Sequence, residues 1–307
     1  MKYVVYQASR CGGRPYNEDR VAYSYTKDAL LMVVCDGMGG HNQGEVASQM
    51  TVQVLTSLFQ ARAKPVLPDM HRFLFDAIYS AHDAINEYAL RKRMPDPPRT
   101  TCVACVVQRG MACWAHVGDS RLYQYSRRAL LSRTRDHSAV QQLVDERVLD
   151  EAHMNTHPDR NKLYNSVGGY TLPDVEVEQP VKLQEGDVLF LCTDGVWPEL
   201  STEEMLSTLR VYPLERAVKH MMDQAEFRAG QFGDNLSVVA MRYGEEHFDT
   251  EELVLGDDLG LDGFTTQLRR LSSKEPELPA VTENELDRAV AEIQAALARP
   301  PRKPRPV

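Results

Sequence analysis

Short apolar blocks at 2–8, 21–26 and 30–35 have the length and the β-branched and aromatic content of strands. Behind the glycine-rich stretch DGMGG the period changes. Val46, Ala47, Met50, Val54, Leu55 and Leu58 recur at steps of three and four, and so do Met70, Phe73, Leu74, Ala77, Ile78, Ala81, Ile85 and Ala89 after Pro68-Asp69, which predicts two amphipathic helices. The loop PDPPR at 95–99 returns the chain to strand texture in TTCVACVVQRG and MACWAHVGDSRLYQYS, with Arg109-Gly110 as the turn between them. A helix is expected over 138–149, through Val140, Leu143, Val144 and Val148, and the polar stretch after it makes 138–172 read as an inserted flap. Strands are expected at 174–183 and 187–193, a helix over 214–225 opened by Pro213, and a closing strand at 236–243.

This is a β-rich centre between helices, an α+β pattern, and its regular structure is expected to end near Tyr243. Residues 1–244 then form one unit and 245–307 a tail, with a short helix expected over 283–298 ahead of the basic, proline-rich end RPPRKPRPV. The formal charge of −9 over 307 residues is uneven: 245–307 carry 14 acids and 8 bases, and 1–244 carry 30 acids and 27 bases. A nearly neutral body with no basic stripe argues against nucleic acid as a partner. Six cysteines lie mostly in apolar runs, the habitat of free thiols. Cys102 and Cys105, three apart on a strand, point to opposite faces and make a poor metal pair. No signal-peptide core and no apolar stretch of about 20 residues is present, so a cytoplasmic protein without a membrane span is expected.

What changes the picture is how the apolar runs end. VVCDGMGG stops at Asp36 and FLCTDG at Asp194; HVGDSR carries Asp119, GDNLSV carries Asp234, and RPYNEDR carries Glu18 and Asp19. One Asp-Gly after a strand is ordinarily a turn. Several carboxylates at strand tips need cations, because an unanswered buried charge costs several kcal/mol or protonates. The nearby basic residues Arg14 and Arg121 are few, and hard divalent ions answer such oxygens better than zinc would. Gly37, Gly39 and Gly40 allow a backbone carbonyl to come close. Arg14 offers the planar fork that suits a phosphate.

In this order and spacing the segments RPYNEDR, VVCDGMGGHNQGEVAS, TTCVACVV, AHVGDSRLYQY, LSRTRDHS, NSVGG, LFLCTDGVW and GDNLSVVAMRY closely resemble the bacterial metal-dependent type 2C Ser/Thr protein phosphatases, over 3–243. The resemblance implies a four-layer αββα sandwich, two antiparallel sheets flanked by helices, with a metal cleft at one end. It implies two Mn²⁺ or Mg²⁺ ions, with Asp36 bridging, the Gly37 carbonyl contributing, Asp194 and Asp234 on the first ion and Glu18 on the second. Asp19 matches the acid that orients water, Arg14 the phosphate-binding arginine, and Asp119 the acid of a third, weaker ion. The implied reaction is hydrolysis of phosphoserine and phosphothreonine in proteins by a metal-bridging hydroxide attacking phosphorus directly, with phosphoproteins as substrates and a cognate Ser/Thr kinase as counterpart.

Two positions depart from the family pattern. Met38 stands where eukaryotic members often carry the His that protonates the leaving alkoxide, which leaves His41 or a metal-bound water for that task. Pro198 stands where some members carry an acid that helps hold the third ion. His137 reads as a structural hydrogen-bonding residue. Two other readings stand beside the phosphatase: a catalytically weak binding or scaffold module working through its tail, and a two-metal nuclease, against which the neutral body speaks.

Overall fold

The computed structural model describes residues 2–38 and 43–244. Gly39, Gly40, His41 and the tail at 245–307 with its expected helix lie outside the described residues. The strands are β1 (Tyr3–Arg10), β2 (Arg20–Tyr25), β3 (Ala29–Cys35), β4 (Gly37–Met38), β5 (Arg99–Thr100), β6 (Cys102–Gln108) and β7 (Met111–Val117). They continue as β8 (Arg121–Tyr125), β9 (Leu130–Arg133), β10 (Val167–Gly168), β11 (Glu176–Val177), β12 (Val181–Lys182), β13 (Val188–Cys192) and β14 (Leu236–Tyr243). The α-helices are α1 (Gly44–Arg62), α2 (Met70–Arg91), α3 (Ala139–Asp145), α4 (Thr202–Val211) and α5 (Leu214–Ala229).

One antiparallel sheet runs β1-β14-β13-β8-β9 and the other β11-β7-β6-β3-β2, with β12 also on β7. Alternation along β13 explains the layering: Leu189 and Leu191 enter the core between the sheets, with Leu30, Met32, Val34, Val103 and Met241. Val188, Phe190 and Cys192 face the other way, onto Leu209, Ala217, Met221 and Met222 of α4 and α5. Helices α1 and α2 cover the second sheet. This is the expected α+β sandwich, and burying each large side chain of its core contributes about 1.5–3 kcal/mol. Cys105 belongs to the inter-sheet core, and all six cysteines are free.

Four local features differ from the sequence reading. The helix expected over 138–149 stops at Asp145, because Arg147 adopts φ +59° and the Val148 N–H turns back to the Leu143 carbonyl at 2.8 Å, a left-handed cap that leaves Val148 exposed. The strand expected over 174–183 is broken into β11 and β12, with Pro180, which has no N–H for a ladder, between them. Helix α4 was not anticipated, although the capping box at its start, Ser201 with Glu204, is a legible signal. A third, small sheet, β10-β5-β4, lies beside the chain end of β3, and its two-residue strands are too short to show a period.

Candidate active site

Strand register brings the carboxylates to one end of the sandwich. Arg20 pairs with Cys35 and Cys102 with Val117, so Glu18 and Asp19 before β2, Asp36 after β3 and Asp119 after β7 leave the second sheet together. In the first sheet Arg121 pairs with Cys192 and Arg10 with Leu236, which puts Asp119, Asp194, Asp234 and the 11–16 loop at the matching end. Arg14, Glu18, Asp36, Gly37, Asp119, Asp194 and Asp234 line one cavity of about 330 Å³ with Tyr16, Asn161 and Leu163. Asp19 stands behind them, 2% exposed. His41 is outside the described residues.

Each acid is held by groups that the backbone positions. The Asp36 N–H donates to Thr101 Oγ1 at 2.9 Å, and the Asp36 carbonyl accepts from the Thr101 N–H and the Thr100 hydroxyl, each at 2.8 Å. Thr193 donates its hydroxyl to Asp19 Oδ2 at 2.9 Å and itself accepts from the Ser237 N–H at 3.0 Å. Gly37 must be glycine, since a Cβ there would lie 2.3 Å from the Gly44 carbonyl oxygen and 2.7 Å from that of Glu18. That close approach sets the second-sheet acids against the start of α1.

Burial, then mutual repulsion, dominates the electrostatics. Burial pushes the Asp19 carboxyl up to about 7, against hydrogen bonds from Ser237 and Thr193 and with repulsion from Asp194 and Asp234. Burial and Asp234 push Asp194 up to about 6. Asp36 and Asp119 are driven well above the carboxylate range by burial and by their acidic neighbours, and Glu18 is raised by burial, Glu45 and Asp234. Arg14 Nη2 meets Asp234 Oδ2 at 2.6 Å. Arg121 does not pair with these acids: Asp136 takes its fork at 2.8 and 2.7 Å, and its guanidinium lies 3.4 Å from the centre of the Trp197 ring. Asp19 Oδ1 and Asp194 Oδ1 are buried without a hydrogen-bond partner. Orphaned buried carboxylate oxygens, in an all-oxygen set with little cationic answer, fit hard divalent cations.

A second cavity of about 450 Å³ shares Arg14, Asp119, Asn161, Asp194 and Asp234 with the first and extends past Met154, Asn155, Trp197, Pro198 and Phe232. Asn155 Nδ2 donates to the Pro198 carbonyl at 3.2 Å, which ties the 138–172 segment to the turn after Asp194.

His116, His137 and Glu176 also gather, but their protons are spoken for. His137 Nδ1 accepts from the Gly118 N–H at 3.3 Å and from Asn165 Nδ2 at 2.7 Å, the Asn165 amide being oriented by both backbone groups of Asp174. Nδ1 therefore carries no proton, and Nε2 is the N–H that faces Glu176 Oε2 at 3.4 Å. His116 Nε2 donates to the Arg135 carbonyl at 2.7 Å. The cluster is a hydrogen-bonded strut, which is the structural role expected of His137. Sequence reasoning assigned no role to Thr101, Thr193, Asp136 or Asn235; their types are common, and nothing local marks them as supports.

The model of the protein phosphatase 2C family matches residues 8–231. The serine/threonine phosphatase Stp of Listeria monocytogenes is 31% identical over 234 residues, 74% of this chain and 90% of its own. The crystal structure of the serine/threonine phosphatase Stp1 from Staphylococcus aureus superposes with a TM-score of 0.72 at 28% identity, over 79% of this chain and 95% of that one. The catalytic domain of the serine/threonine protein phosphatase PstP, solved in complex with two manganese ions, superposes with a TM-score of 0.67 at 26% identity, over 78% of this chain and 97% of that one. By the family match over 8–231 and by its relatives, the chain belongs to the protein phosphatase 2C family and is a protein phosphatase of that type.

Proposed function

We propose that this enzyme hydrolyses phosphoserine and phosphothreonine monoesters in proteins, opposing a Ser/Thr kinase in a bacterial signalling route, with residues 1–244 as its catalytic unit and 138–172 as a flap over the cleft. The observation that carries this reading is the convergence of Glu18, Asp36, Asp194 and Asp234 beside Arg14, with Asp194 Oδ1 buried and unpartnered. Glu18, Asp36, the Gly37 carbonyl, Asp194 and Asp234 would hold two Mn²⁺ or Mg²⁺ ions, with Asp36 shared, and Asp119 would serve a third, weaker ion. Bound there, hard divalent ions make a nucleophile of water at neutral pH and neutralise the phosphoryl oxygens.

The protein's own residues do the rest. Arg14, 51% exposed at its side chain, presents a planar fork at the cavity mouth and orients the phosphate. Asp19, held by Thr193, keeps its Oδ1 free to accept a hydrogen bond and so to align the attacking water. Met38 has no proton to return to the leaving alkoxide, and His41 is the candidate for it. Direct attack on phosphorus leaves no phosphorylated residue behind.

The test is phosphate release from a phosphothreonine peptide with and without Mn²⁺, in the wild type and in Asp194→Asn. Release that needs metal and is abolished by the substitution is expected. A folded wild type that releases no phosphate from several phosphopeptides, or from an aryl phosphate, would instead leave a binding module acting through its tail.

A further inference from the structure

Asn235 follows the acid Asp234 and is 5% exposed, yet its side chain belongs to neither the carboxylate set nor the phosphate contact. Its side-chain hydrogen bonds run to three points of the connection between β1 and β2. Oδ1 accepts the Glu18 N–H at 2.8 Å. Both Nδ2 protons are used, on the Cys11 carbonyl at 3.0 Å and the Tyr16 carbonyl at 2.9 Å, which are the two ends of the loop that carries Arg14. The Asn235 N–H donates to Asp234 Oδ1 at 2.9 Å. Its carbonyl oxygen occupies the place where a Cβ on Gly195 would fall, 2.0 Å away, so the turn behind Asp194 is seated on it as well.

The chemistry of the amide makes this arrangement specific. Two donors and an acceptor on one rigid plane can hold two carbonyls and one N–H at once; Asp lacks the donors, and Ser or Thr has one hydroxyl proton. The 11–16 loop is seated on the 231–236 segment as well: the Gly13 N–H reaches the Gly233 carbonyl at 3.0 Å, a Cβ on Gly12 would lie 2.2 Å from the Asp234 carbonyl oxygen, and Arg14 itself reaches Asp234. Arg14 is exposed and long, so where its loop is held decides whether its fork reaches Asp234 and the cavity mouth. A buried amide that spans the loop ends and the Glu18 backbone fixes the distance between the phosphate-binding arginine and the carboxylates.

We infer that Asn235 is a positioning residue that sets Arg14 against the carboxylate centre, so that phosphate affinity depends on Asn235 through Arg14. This inference rests on the phosphatase reading of the same site. If it holds, removing the amide matters little once Arg14 has gone, because the loop then carries nothing that touches phosphate.

The experiment is a double-mutant cycle on the full chain loaded with Mn²⁺, with binding of inorganic phosphate measured by calorimetry and Mn²⁺ affinity measured separately on the stripped protein. Asn235→Ala is expected to weaken phosphate binding about tenfold in the wild-type background and less than twofold in the Arg14→Ala background. An equal loss in both backgrounds, or no loss in either, overturns the inference and leaves Asn235 a merely structural amide. Asn235→Ser, which keeps a hydroxyl, takes the place of the alanine variant in the same cycle if the latter fails to give a native circular dichroism spectrum. Aryl phosphate turnover by the wild type separates the two levels: absence of metal-dependent turnover sinks the phosphatase reading, whereas an active wild type with an additive cycle sinks only the role of Asn235.

Discussion

Arg14 Nη2 lies 2.6 Å from Asp234 Oδ2, so the cation expected to receive phosphate is hydrogen-bonded to one of the acids expected to receive metal. The pair holds the guanidinium at the cavity mouth, where one face of its fork remains for a second anion. Arg14→Ala is expected to lower kcat/KM for an aryl phosphate about 10- to 100-fold, the worth of a charge-assisted hydrogen bond of about 1.5–3 kcal/mol. Arg14→Lys, which keeps the charge and loses the fork, should recover only part of it. Steady-state kinetics at saturating Mn²⁺ decides the matter.

Function and stability should oppose each other at Asp36. Its carboxyl is driven upward by burial and by Asp19, Asp194, Asp119 and Asp234, so the charged cluster destabilises the metal-free fold. Asp36→Asn is expected to cut turnover about 10²-fold or more, while raising the melting midpoint of the chelator-treated protein by several degrees at about 2–4 °C per kcal/mol. A calorimetric melt showing a lower midpoint for the metal-free variant would refute this account of the cluster.

Arg121 and Asp136 make the opposite kind of pair, fully buried, bidentate and stacked on Trp197. Removing one partner leaves a buried charge unanswered, so Asp136→Ala should cost about 3–5 kcal/mol in urea unfolding. Because Trp197 Nε1 also donates to the Asp119 carbonyl at 3.1 Å, the loss should spread to the cleft wall.

A pH dependence follows from His116. Burial, then the neighbouring His137, lowers its pKa below the usual 6.5, against the Arg135 carbonyl and the acids Glu176 and Asp136 that face it. The unfolded chain therefore takes up this proton more readily than the folded one. The contribution of His116 is complete above pH 6.5 and is lost as pH falls below it, by up to about 1.4 kcal/mol per unit. His116→Gln should flatten that part of the curve, so the stability gap between wild type and variant should narrow from pH 7.5 to pH 5.

Periodicity sufficed for α1, α2 and α5, whose apolar positions repeat over several turns, whereas β3, β6 and β13 were legible as short continuous apolar runs, buried on both faces. Helix α4 was written in Ser201 and Glu204, but it is only 10 residues long and buries only Met205, Thr208 and Leu209, too few positions to repeat a period. The end of α3 turned on Arg147 adopting a left-handed conformation, which residue type does not announce.

The carboxylates were legible as oddities of strand ends, because charge at the tip of an apolar run contradicts its surroundings wherever the chain goes. That their strands leave the sandwich at one end followed from pairing register, such as Arg20 with Cys35 and Arg121 with Cys192, between residues distant in sequence. The sequence by itself determined which groups could answer a metal and a phosphate. Only the tertiary structure decided which groups hold them in place: Thr193 on Asp19, Asp136 on Arg121, and Asn235 between Glu18 and the Arg14 loop. The physical reason is that a hydrogen bond is directional and short, so a common polar residue becomes a support only when folding places a particular partner within about 3 Å of it.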